Sequence, residues 1–406
     1  MRPTSTASSL LSGPTLIGFG AFAYLSLVLY GSLFPFNRIA PELFNPTVLI
    51  SAWPAHISRS DVWVNILAYL PIGFLMARFL GLSGWAISLA TLSGLLLSCG
   101  MEVIQTALPG RVPSLVDILA NSGGALLGAV LAIAVSPRYG WAGALHDWRR
   151  GRVARGPIAT SALVAVTFWG CSQLLVALPS MSVDNSILAV LSLPPIGTGL
   201  SDFSWTRFWY IVLEVIGLGM LLKLFLRQPF FRPVFIFFSG TLLLGAFIAG
   251  QSVGFERLTA VVTAFLALYY LSFTSSRKAF FIALLALIGS VLLRGLQPGY
   301  GTGAFIWVPL SSLENRIGDM ANIMEGLWHG LAFGVLARWR LAGRQVAYAF
   351  AAFVVLSFGI EFVQPLIGRY GDITDVLVLL TGWGMAWFSH GPQTLYAGDT
   401  DSRAVA

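Results

Sequence analysis

Charged side chains are scarce: 24 basic and 17 acidic residues make up 10% of this 406-residue chain, against about a quarter of a soluble domain. A soluble multi-domain fold would need charged surface that is missing here. Lysine occurs only at Lys223 and Lys278, so arginine carries almost all of the basic excess. Cysteine is limited to Cys99 and Cys171, each inside an apolar run. That excludes a disulfide framework and reads both as small buried hydrophobes. Only four histidines are present, and no third ligand stands in register with any of them, so neither a metal nor another cofactor is expected.

What the chain has instead is apolar length. Hydrophobic residues make up 56% of it, and runs of about twenty such residues, the length that crosses a bilayer, recur throughout. Hydropathy predicts an all-α, polytopic membrane bundle of about twelve transmembrane helices. The first, at 15–35, reads as a retained anchor, because no small-residue cleavage site follows it. Basic clusters fall after every second span: Arg138 to Arg155, then Lys223 to Arg232, then Arg277 and Lys278, then Arg338 to Arg344. The positive-inside rule puts these in the cytoplasm together with both termini. Positive charge confined to short loops is topological and argues against a nucleic-acid partner.

Two stretches repeat one polar pattern. Glu102-Val-Ile-Gln105 precedes Arg111, Asp117 and Gly124, and Glu361-Phe-Val-Gln364 precedes Arg369, Asp375 and Gly382. In both, Gln follows Glu by three residues, Asp follows Arg by six and Gly follows Asp by seven. Each copy lies where one apolar run ends and the next begins, on the face assigned to the outside. The recurrence predicts three parallel four-helix units at 1–137, 138–278 and 279–391, followed by a polar tail at 392–406. In the middle unit Ile248 and Thr263 stand where the carboxylates would be. Two longer loops, around 180–206 and from Gln297 to about Arg316, stand apart from the spans.

Glu102 and Gln105 share a helix face, as do Asp117 and Asn121 on the following helix. With Arg111 between them, an antiparallel pair would gather two carboxylates, amides and a guanidinium. Glu361, Gln364, Arg369 and Asp375 require the same geometry. Such a cluster either grips a polar ligand or serves as an ion-paired clasp on the hairpin; ionisable groups near a bilayer favour function. Asn65, Glu214, Glu325 and His329 are secondary candidates. Glu214 reads as a buried carboxylate paired with another span. Glu325 and His329, four apart, can form a hydrogen-bonded pair or half of a metal site. No nucleophile or phosphatase-type histidine set is visible, so no catalytic residue is assigned and catalysis is not the expectation. Gly123, Gly124, Gly128, Gly382 and Gly384 read as close-packing positions.

These residues resemble the VanZ-like family of small membrane proteins. In the first unit the resemblance rests on Tyr30-Gly-Ser-Leu-Phe-Pro35-Phe, Asn65 to Gly73, Glu102, Gln105, Arg111, Asp117, Asn121 and Gly124. In the last it rests on His329, Phe333, Gly334, Glu361, Gln364, Arg369 and Asp375, while the middle unit is degenerate. The resemblance implies a multi-pass cell-envelope protein of the bacterial inner membrane, of a family whose founding members are linked to teicoplanin resistance. A ligand at the two clusters would then be a membrane lipid, a lipid-linked envelope precursor or a peptidoglycan-related molecule, and envelope-polysaccharide machinery is the expected protein partner. A transporter or lipid flippase, or a membrane-embedded enzyme acting on a lipid-linked precursor, are the alternatives.

Overall fold

The computed structural model describes residues 59–109, 111–136, 140–174, 203–227, 231–245, 255–299, 303–309, 311 and 317–387, with isolated positions between 24 and 47. The predicted first span is described at Tyr24, Leu25, Val28, Leu29, Ser32 and Leu33, all helical. The loop at 180–202 and the tail lie outside the described residues. The described chain is almost entirely helical, and seven of its helices are long and apolar enough to cross a membrane. This is an all-α, multi-pass membrane protein. Packing gathers Pro14–Arg149 into one compact unit and Arg150–Pro309 with Met320–Ala406 into another.

The first unit is built on α1 (Arg59–Phe79), α2 (Gly84–Gln105) and α3 (Leu115–Ala134). Within a bilayer, helices gain by close backbone approach, which requires small residues at the contact. A Cβ on Gly124 would stand 2.2 Å from the Ile66 carbonyl oxygen, and one on Gly128 1.9 Å from that of Leu70. Reciprocally, a Cβ on Gly73 of α1 would stand 1.9 Å from the Ala125 carbonyl oxygen. Gly123 has nothing within 4 Å of such a Cβ among the described residues and packs against none of them. On α2, Ala86, Ala90, Gly94 and Ser98 form a buried stripe at four-residue spacing, one face of the helix. The basic connection that follows folds into a short polar helix, α4 (Gly140–Arg152).

The second unit contains α5 (Pro157–Leu174), α6 (Trp205–Lys223), α7 (Phe231–Gly245), α8 (Phe255–Leu271) and α9 (Ser276–Gly295). It continues through a two-residue β1 (Phe305–Ile306), α10 (Ile317–Arg340), α11 (Arg344–Val363), a 3-10 turn (Gln364–Ile367), β2 (Gly371–Asp372) and α12 (Ile373–Trp387). Helix α6 is central, with 61% of its apolar window buried. It meets α9 where Gly217 faces Leu287, and α8 where Gly219 faces Leu268. Helices α10 and α12 approach as α1 and α3 do: Gly382 abuts the Leu327 carbonyl, Gly330 that of Leu379, and Gly334 that of Trp383. Gly384 has nothing within 4 Å of its Cβ position among the described residues and packs against none of them. Strands β1 and β2 pair in parallel, Phe305 with Gly371 and Ile306 with Asp372.

Candidate functional site

In the first unit the turn between α2 and α3 collects most of the predicted cluster. The Glu102 carboxylate is buried and its Oε2 accepts the backbone N–H of Ser114 at 2.8 Å. Ser114 in turn caps α3, its hydroxyl accepting the N–H of Val116. Gln105 reaches the first span, donating from Nε2 to the Ser32 carbonyl at 2.9 Å. Asn65 joins from α1, its amide donating to Asp117 Oδ1 at 2.8 Å. Asn121 does not join this set; it donates to the Ser98 hydroxyl of α2 at 2.9 Å. Burial lowers the pKa of the Arg111 guanidinium and the Glu102 carboxylate raises it; arginine stays charged in either case.

In the second unit Glu361 performs the same task at the turn between α11 and α12. Its Oε2 accepts the backbone N–H of Asp372 at 2.8 Å, and its Oε1 accepts from Gln364 Nε2 at 3.1 Å. Asp372 then caps α12 by accepting the Thr374 N–H at 2.7 Å. Asp375 lies in the first turn of α12 and is exposed. Arg369 donates from Nη1 to the Arg294 carbonyl at 2.9 Å.

That contact places Arg369 in a cavity of about 320 Å³ whose wall also holds Arg207, Tyr210, Arg294, Gln297 and Gly299. Three guanidiniums share this wall, of which Arg207 pairs with Glu256 and Arg294 with Glu325. Residues of the loop that the sequence set apart help to build it. Gly299 donates its N–H to the Ile367 carbonyl at 2.9 Å, and a Cβ there would stand 2.5 Å from the Gly368 carbonyl oxygen. Sequence reasoning missed Arg294, Tyr210 and Gln297. The available signal was Arg294 itself, a lone arginine at the end of an apolar span on the face to which the charge pattern assigns few.

The secondary candidates of this unit lie together. Glu214 is 3% exposed and its Oε2 accepts from Trp169 Nε1 of α5 at 3.1 Å. Glu325 pairs with Arg294. His329 bonds the backbone carbonyl of Glu325 through Nδ1 at 3.0 Å, rather than the Glu325 carboxylate. One donor atom from each of Glu214, Glu325 and His329 lies within 4.8 Å of the others. Glu214 thus joins Glu325 and His329 from another helix.

Residues 19–136 match the family model described as VanZ/LLP1. That segment, which holds Asn65, Glu102, Gln105, Arg111, Asp117 and Asn121, is VanZ-like. No curated protein and no solved structure matches the chain.

Proposed function

We propose that this VanZ-like membrane protein acts in the bacterial cell envelope by binding an anionic headgroup, phosphate or carboxylate, of a lipid-linked or peptidoglycan-related ligand. The observation that carries the reading is the cavity shared by Arg207, Arg294 and Arg369. Its volume suits a headgroup and lies at the small end of ligand pockets. Guanidiniums grip phosphate or carboxylate bidentately, and beside the paired Arg207 and Arg294 stands Arg369, which bonds a backbone carbonyl.

The carboxylates have a different part in this reading. Glu102 and Glu361 each hold a backbone N–H of the turn beside an arginine, so they shape the turn on which that arginine is carried. The equivalent bonds, and the equivalent glycine contacts of α1 with α3 and of α10 with α12, support a duplication of the VanZ-like unit. Under that duplication Arg111 and Arg369 are counterparts at the outer face.

The test is native mass spectrometry of the full-length protein with its co-extracted lipids, wild type beside Arg369→Ala and Arg207→Ala. Loss of a specific anionic lipid or lipid-linked sugar in both variants is expected. Identical lipid profiles from equally folded proteins would overturn the reading.

A further inference from the structure

The interior of the second unit holds donors without partners. Glu214 Oε1 and His329 Nε2 are both buried and neither has a hydrogen-bond partner among the described residues, although the residues are only 3% and 4% exposed. An unsatisfied buried polar atom is costly, because its lost hydration is not replaced. Two of them beside a third donor, from Glu325, call for a species that binds all three.

The chemistry of the histidine selects that species. A carbonyl oxygen can only accept, so the bond between His329 Nδ1 and the Glu325 carbonyl puts the proton on Nδ1. Nε2 is left with its lone pair, the tautomer of a metal-ligating imidazole held by a backbone carbonyl. Arg294 pairs with Oε2 of Glu325, which fixes that carboxylate. Trp169 does the same for Glu214, holding Oε2 and leaving Oε1. Every donor is thus oriented from behind by a neighbour, as metal ligands are.

Distances agree. Ligands at about 2.1 Å from a tetrahedral ion stand about 3.4 Å apart. The three donor atoms, all within 4.8 Å of one another, need to close by little more than an ångström. A cavity of about 20 Å³ lined by Glu214 has room for one water. One imidazole with two carboxylates suits a divalent transition metal better than calcium or magnesium, which take oxygen ligands.

We infer that Glu214, Glu325 and His329 form a binding site for one divalent transition-metal ion. The site does not depend on the anionic ligand proposed above, and its test reads the metal alone. Metal-stripped, tag-free full-length protein is titrated with Co2+ while its visible absorption is followed, then challenged with Zn2+ and with excess Mg2+. One saturable equivalent with d–d bands is expected, displaced by Zn2+ and not by Mg2+. Affinity falls at least about tenfold in Glu214→Gln and in His329→Gln, since loss of an outer-shell partner alone costs that much. Thermal melting of each variant reports whether it remains folded. Absence of a saturable Co2+ spectrum in folded wild-type protein overturns the site without recourse to variants. So does binding that survives both substitutions, and neither result bears on the lipid reading.

Discussion

The Glu361 carboxylate accepts the backbone N–H of Asp372 at 2.8 Å, bridging the end of α11 to the start of α12. Glu102 accepts that of Ser114 at the same distance between α2 and α3. In each case the residue whose N–H is held goes on to cap the next helix. A backbone group at a membrane helix end has few other partners, so the glutamate sets where the next helix begins.

Glu361→Ala should therefore destabilise the protein by about 1–3 kcal/mol, the cost of an unsatisfied group, since Asp372 is only 8% exposed. Glu361→Gln retains an accepting oxygen and should lose less. Thermal unfolding in detergent orders the three proteins, and an alanine variant that melts with wild type would refute the pin.

Asn65 and Asp117 are joined across α1 and α3 by one hydrogen bond of 2.8 Å. A double-mutant cycle with Asn65→Ala and Asp117→Ala should return a coupling of about 0.5–3 kcal/mol, as residues in contact do. Strictly additive effects would show that the two side chains act independently.

Gly128→Ala and Gly123→Ala should part company. The first would press a methyl against the Leu70 carbonyl, 1.9 Å away, while the second meets nothing within 4 Å. Backbone atoms cannot step aside, so Gly128→Ala should cost at least about 1–3 kcal/mol. Gly123→Ala should be neutral or gain up to about 1 kcal/mol from helix propensity. Equal melting temperatures would mean that α1 and α3 are not in backbone contact.

Arg207→Ala separates binding from folding. Its ion pair with Glu256, at 3.1 Å, leaves the Arg207 side chain half exposed, and exposed pairs contribute about 0–1 kcal/mol. The variant should melt within that margin of wild type yet retain less anionic lipid. Raising the salt concentration should strip lipid from wild type as well, because screening weakens exposed charges. Lipid retention unchanged by either treatment would remove Arg207 from the site.

By itself the sequence determined the membrane class, because hydropathy is a sum over one segment and needs no partner. It also determined the two polar turns: Glu102 with Gln105, and Glu361 with Gln364, follow from helical periodicity alone. Its glycine reading held for Gly124, Gly128 and Gly382 and failed for Gly123 and Gly384, since composition shows a helix rich in glycine without showing which face meets a neighbour. Only the tertiary structure decided which polar groups share a space. Arg369 meets Arg294, 75 residues earlier in the chain, and Glu214 meets Glu325 and His329 from another helix. Asn121 belongs to Ser98, and Gln297 to a cavity wall. Such pairings depend on how each helix is rotated about its axis and packed against its neighbours, and periodicity along one helix carries no information about the rotation of the next.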